Sequence, residues 1–254
     1  MLKIGHKGAD AIRPGNTLES FAAAADAGVD LIELDVLRPR EDFPRPSDWR
    51  TAPAGPVASP GGPLLIAHDW GDARRRRPLT LAEALDAFSA PPLDAVSFDL
   101  DLKIAGREDE VVEAVRDRGL GERTMISTME TSSLLALAEL APELRRGWTL
   151  PKIRRDWSRA RWTRPMVLAG SASLRARLPR IIRRRVPRLG VWAVWIYDPL
   201  ITRRLVATAH DAEAAVIAWT VDDPGRVREL VALGVDGICS NDPRRLGDIV
   251  VEAA

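Results

Sequence analysis

The chain has 254 residues, 46% hydrophobic and 29% charged, an ordinary globular composition with no apolar run long enough to span a membrane. Its one cysteine, Cys239, cannot form an internal disulfide, and the N-terminus runs straight into the first strand with no room for a signal peptide, so a cytoplasmic protein is expected. The formal charge of +1 hides an asymmetry, because residues 145–188 carry fourteen arginines and Lys152 against one acid, Asp156.

The first predicted strand, residues 2–6, ends in Ile4-Gly5-His6-Lys7-Gly8. A helix follows, with Asn16 read as N-cap, Glu19 three residues on, strong helix formers from Ala22 to Ala27, and Gly28 as the stop. The second strand, 31–36, alternates Glu33 and Asp35 with Ile32, Leu34 and Val36, so both carboxylates project from one side. Residues 39–63 hold seven prolines and read as a long loop. It leads to Leu64-Leu65-Ile66-Ala67-His68, an extra strand in a hairpin-like excursion, because no crossover helix is available to make it a parallel barrel strand. A helix capped by Thr80 and Glu83 runs to about Phe88.

The third barrel strand, 95–103, places Asp99, Asp101 and Lys103 on one face. Strands at 123–127, 145–150, 191–197, 215–221 and 237–240 complete a set of eight, with helices between most of them. Residues 151–190 read as a long basic excursion containing Trp157 and Trp162, inside which 169–185 reads as an amphipathic helix with Leu174, Leu178, Ile181 and Ile182 on one stripe and arginines around them. Eight βα units in one chain of this length predict a single (β/α)8 TIM barrel spanning 1–254, with insertions at about 39–94 and 151–190. The alternative, an open doubly wound sheet, would normally carry a G-x-G-x-x-G turn that Gly5-His6-Lys7-Gly8 lacks.

In a barrel the strand ends share one face. His6, the Glu33/Asp35 pair, His68 and the Asp101/Lys103 pair all fall at or just beyond such ends. Three carboxylates around one point need a cation, and oxygen ligands suit a hard divalent ion, Mg²⁺ or Ca²⁺. Histidines and a lysine beside it suit an anionic phosphate substrate. The third histidine, His210, is predicted on the surface of a helix.

The ordered set His6-Lys7-Gly8, Pro14-Gly15-Asn16-Thr17, Glu33-Leu34-Asp35-Val36, His68-Asp69 and Asp101-Leu102-Lys103, continued by Ser127, by 218–223 and by 234–243, resembles the glycerophosphodiester phosphodiesterase family. That resemblance implies a (β/α)8 barrel and metal-dependent hydrolysis of glycerophosphodiesters or lysophospholipid-type substrates. Glu33, Asp35 and Asp101 would hold the metal, and His6 and His68 would form the acid/base pair. Lys7 and Lys103 would bind the phosphate, and Trp219 would wall the pocket. It does not distinguish which histidine is the acid. Four departures stand out: Lys7 for the arginine of H-R-G, Gly15 for the glutamate of P-E-N-T, Asp101 for the glutamate of E-x-K, and no T-x-D-G turn before His68.

Two partner expectations follow from the basic segment. Residues 145–188, joined by Arg74–Arg77, predict docking on an anionic membrane surface that brings the barrel mouth to a lipid headgroup. No nucleic acid is expected, because no recognised module accompanies the charge. The competing reading is a non-catalytic barrel that binds phospholipid through the same segment.

Overall fold

The computed structural model describes residues 1–39, 62–152 and 164–247, and the side chains of these except for 164–171. Eight parallel strands form a closed ring: β1 (Leu2–Gly5), β2 (Leu31–Leu37), β5 (Ser97–Leu102), β6 (Thr124–Thr128), β7 (Arg145–Leu150), β8 (Ala193–Tyr197), β9 (Ala215–Trp219) and β10 (Gly237–Ser240). β1 pairs with both β2 and β10 and closes the ring. Two short strands, β3 (Leu65–Ile66) and β4 (Leu79–Thr80), lie outside it. β3 runs antiparallel to the end of β2, with Val36 opposite Ile66, so the excursion predicted after the second strand is present.

The helices between ring strands are α1 (Leu18–Asp26), α3 (Leu81–Phe88), α4 (Glu108–Arg116), α5 (Thr131–Leu140), α6 (Arg164–Leu189), α7 (Arg203–His210) and α8 (Pro224–Leu233). A short α2 (Trp70–Arg75) follows β3, where no helix was expected. The capping box at α3 forms as the sequence indicates, with the Thr80 hydroxyl accepting from Glu83 N–H and the Glu83 carboxylate accepting from Thr80 N–H. At α1 the cap is Thr17, not Asn16. The Thr17 hydroxyl accepts from Ser20 N–H, while Asn16 has φ +60 and turns its side chain into the barrel.

Apolar side chains fill both the ring and its outer layer. Ile4, Leu31, Met125, Trp195 and Ile217 pack inside the ring, and the strands' outward faces bury the apolar stripes of the helices. The amphipathic helix expected over 169–185 within the basic stretch is present and longer, running from Arg164 to Leu189 in this outer layer. Its stripe of Leu178, Ile182, Val186 and Leu189 is buried against α7 and the barrel wall, so it is not free to enter a lipid surface.

The direction of α6 matters too. Arg175 donates to the Pro199 carbonyl just past the end of β8, at the mouth, whereas Arg146 donates to the Gly190 carbonyl at the opposite end. Exposed Arg183, Arg184, Arg185 and Arg188 therefore lie toward the end of the barrel away from the strand C-termini. The proline-rich stretch 40–61, Trp157, Trp162 and residues 248–254 lie outside the described residues. Among those described, no helix is long and apolar enough to cross a membrane.

Candidate active site

β2 and β5 set the centre of the site. Their register places Asp35 opposite Asp101 and Glu33 opposite Asp99, and the pleat turns all four carboxyl groups inward. Glu33, Asp35 and Asp101 each offer an oxygen within 4.8 Å of the others'. Lys103, one residue past β5, extends back over them. Its ammonium lies 2.5 Å from Asp35 Oδ1 and hydrogen-bonds Asp101 Oδ2.

One ammonium faces three buried carboxylates, and their proton affinities split accordingly. Burial raises Lys103's cost of carrying charge, yet Asp101, Asp35 and Glu33 together hold its pKa well above the ordinary lysine value. Burial would also raise Asp35, but Lys103 and then Lys7 overturn that and keep it ionised. Glu33 is pushed well above the carboxylate range by burial and by Asp35, and Asp101 rises by burial against the pull of Lys103.

The set is thus one positive charge short or more, and buried Asp101 Oδ1 has no hydrogen-bond partner among the described residues. A compact cluster of excess carboxylate charge with an oxygen to spare fits a hard divalent cation.

His6 follows β1 and is fixed from the far side of the chain. His6 Nδ1 and Asn241 Oδ1 are 2.6 Å apart. Asn241 Nδ2 donates to Asp222 Oδ2 at 2.7 Å, and Asn241 N–H and the Ser240 hydroxyl donate to Asp222 Oδ1. Burial would raise Asp222, but these hydrogen bonds outweigh it and hold the carboxyl below its usual range. An ionised carboxylate only accepts, so the Asn241 amide must point its NH₂ at Asp222 and its oxygen at His6. His6 Nδ1 then carries the proton. Nε2 is left as an acceptor, 4.0 Å from Glu33 Oε2. Burial, reinforced by the charge of Lys7 and opposed by Asp35, lowers the His6 pKa to about 4.

Lys7 has φ +51, and its N–H donates to Glu33 Oε2 at 2.8 Å. Its ammonium lies 3.7 Å from Asp10 Oδ2. Trp219 ends β9 half-buried, its ring 5.8 Å from that of Tyr197.

His68 is brought to the mouth by β3, since Ala67 N–H donates to the Asp35 carbonyl at 3.1 Å. Its side chain is 53% exposed and its Nδ1 is 3.0 Å from Asp69 Oδ2, so the second histidine sits on the rim, more open than His6, whose side chain is 21% exposed. His210 is at the surface with Asp236.

Four further residues of the site have no catalytic or ligand role legible in the sequence. Asn16 donates from Nδ2 to Asp35 Oδ2 at 2.7 Å and accepts from Asp35 N–H. Asn241 and Asp222 orient His6. Buried Asp99 accepts from the Ser127 hydroxyl at 2.6 Å beneath Asp101, and burial and Asp101 raise its pKa well above the usual range. Asn16 lies beside the first motif, where a polar residue can cap a helix or reach across the barrel. Asn241 and Asp222 follow β10 and β9, with nothing local to tie them to His6.

A closed (β/α)8 barrel with a carboxylate–lysine centre between strand-end histidines defines a class of protein suited to phosphoryl chemistry. The chain belongs to the glycerophosphoryl diester phosphodiesterase family, whose model matches residues 6–42 and 89–245. Residue His68 lies between the two matched stretches.

Solved glycerophosphodiester phosphodiesterases of Agrobacterium tumefaciens and Parabacteroides distasonis share the fold. The first has 20% identity, TM-score 0.66, and coverage of 98% of this chain and 100% of that one. The second has 16% identity, TM-score 0.69, and coverage of 99% and 97%. An Oleispira antarctica phosphodiesterase, solved with the product sn-glycerol 3-phosphate, has 19% identity and TM-score 0.65 over 98% of this chain and 96% of that one. A glycerophosphodiester phosphodiesterase of Arabidopsis thaliana is 39% identical over 54 residues, which span 21% of this chain and 16% of that protein.

Proposed function

We propose that the whole chain forms one catalytic barrel that hydrolyses glycerophosphodiesters, or lysophospholipids of the same headgroup chemistry, with a divalent cation held by Glu33, Asp35 and Asp101. The observation that carries this is the convergence of those three carboxylates beneath Lys103 and beside His6, in a chain of this family. The cation, Mg²⁺ or Ca²⁺, would neutralise and polarise the phosphoryl oxygens.

The chain's own residues do the rest. Lys103 and Lys7 attract the phosphodiester anion, and Trp219 walls one side of its pocket. His6 Nε2, kept unprotonated by the Asn241–Asp222 chain, accepts the proton of the attacking hydroxyl, from water or from the substrate's own alcohol, as its oxygen bonds to phosphorus. The bond from phosphorus to the other ester oxygen breaks, and His68, on the rim and backed by Asp69, gives that oxygen a proton. A free alkoxide is too poor a leaving group to depart alone.

The test is a panel of glycerophosphodiesters and lysophospholipids assayed with Mg²⁺ or Ca²⁺. Wild type should release an alcohol and a phosphate ester, and His6→Ala should lose about 10²- to 10⁴-fold in rate. No turnover of any member would defeat the reading and favour a binding-only barrel.

The exposed arginines of α6 support a second, separate reading, attraction to anionic lipid by charge alone from the cytoplasmic side. Co-sedimentation with anionic but not neutral vesicles, abolished by about 0.5 M salt, is its expected signature.

A further inference from the structure

Three features of the first loop fit together. Asp10 Oδ1 accepts from Gly15 N–H at 2.8 Å, and Asp10 Oδ2 faces the Lys7 ammonium at 3.7 Å. A Cβ on Gly15 would stand 2.6 Å from Asp10 Oδ1 and 2.8 Å from Lys7 Cβ. The carboxylate therefore occupies the space a side chain at 15 would take, and it does so against Lys7. The loop is fixed around it, because Lys7 O accepts from Asn16 N–H and from the Ser20 hydroxyl, while Lys7 N–H reaches Glu33.

The charges of the site make this placement matter. Lys103 is already shared between Asp35 and Asp101. Lys7, less tightly paired than Lys103, meets the anion beside it, and its charge is felt at both His6 and Asp35. Asp10 puts a partly exposed negative charge beside it. A phosphodiester carries one negative charge, whereas the phosphomonoester left after hydrolysis carries nearly two above its second pKa of about 6. An added carboxylate penalises the dianion more than the monoanion.

We propose that Asp10 is a positioning and specificity residue, which acts through Lys7 to make the anion pocket prefer a phosphodiester over a phosphomonoester and so speeds release of product. This rests on the glycerophosphodiester reading. Gly15 is the complementary half of the device, leaving the room in which Asp10 sits.

The experiment compares wild type with Asp10→Asn, which keeps an oxygen for Gly15 N–H and removes the charge. Asp10→Ser, with a hydroxyl acceptor, is the second variant. Binding of sn-glycerol 3-phosphate to the Mg²⁺-supplemented protein is measured by calorimetry at pH 8, and KM is measured for a glycerophosphodiester.

The expected result is glycerol 3-phosphate bound about two- to fivefold more tightly by both variants, with the diester KM changing by a smaller factor. Unchanged or weaker monoester binding overturns the proposal, as does an equal gain for diester and monoester. In a Lys7→Met background the gain from Asp10→Asn should shrink, and a full gain there overturns the route through Lys7. Should wild type turn over no diester, the functional reading fails, and the calorimetric arm still decides whether Asp10 disfavours the dianion.

Discussion

His6 Nδ1 donates to Asn241 Oδ1 at 2.6 Å across 235 residues of sequence, and that contact selects the tautomer of this partly buried histidine. Replacing Asn241 with Leu removes the acceptor and frees the ring to protonate at either nitrogen. The expected cost is about 10²-fold in kcat/KM with little change in KM. Nitrogen-15 NMR of the histidines should show a single Nδ1–H tautomer for His6 in the wild type and a mixture in the variant. An unaltered tautomer would mean that something other than Asn241 sets it.

The His6 pKa of about 4 has a stability consequence in the metal-free protein. Below pH 6.5 the unfolded chain binds a proton at this residue that the folded chain refuses. Folding therefore weakens as pH falls from about 6.5 and levels off below about 4. The contribution is at most about 3 kcal/mol. His6→Gln should flatten that part of the profile in denaturant titrations run from pH 7 to pH 4, and an unchanged slope would count against it.

Lys103 balances the charge of the triad when no cation is bound. Lys103→Met leaves Asp35 and Asp101 facing each other in a buried site, at an expected loss of about 3–5 kcal/mol in metal-free protein. For a chain of this size that is roughly 6–20 °C in Tm. Adding Mg²⁺ or Ca²⁺ should narrow the gap between variant and wild type, because the cation supplies the missing charge. A gap that stays constant on titration would argue against a cation at these carboxylates.

Asn16 is 1% exposed and holds Asp35 from both ends of its amide. Asn16→Ala should weaken divalent-cation affinity about 10- to 100-fold by calorimetry, as expected for a residue that orients a ligand carboxylate. Loss of stability without loss of affinity would make its role purely structural.

Much of this site was legible before the fold. The alternation through Glu33–Asp35 and Asp99–Lys103 decides which side chains share a face, and strand order brings those faces together at one end of a barrel. The Thr80/Glu83 box marks α3 because its signal is local.

The failures have a common cause in contacts distant in sequence. Asn16 and Thr17 are both good caps, and what takes Asn16 out of that role is Asp35, nineteen residues away. Residues 169–185 read as an amphipathic helix from their own apolar stripe; what that stripe does not show is that the helix runs on through Pro187 to Leu189, where Val186 and Leu189 join Leu178 and Ile182 in the buried layer. Asp222 and Asn241 reach His6 only because the ring closes between β10 and β1.

Glu33, Asp35 and Asp101 are proposed to hold the divalent cation on which phosphodiester hydrolysis depends. Phosphorus-31 NMR of a glycerophosphodiester incubated with chelator-treated protein tests it most directly, with Mg²⁺ or Ca²⁺ then restored and Asp101→Asn run beside wild type. A phosphomonoester signal should appear only with cation and wild-type carboxylates together. Hydrolysis that persists after chelation, or at the wild-type rate in Asp101→Asn, would contradict it.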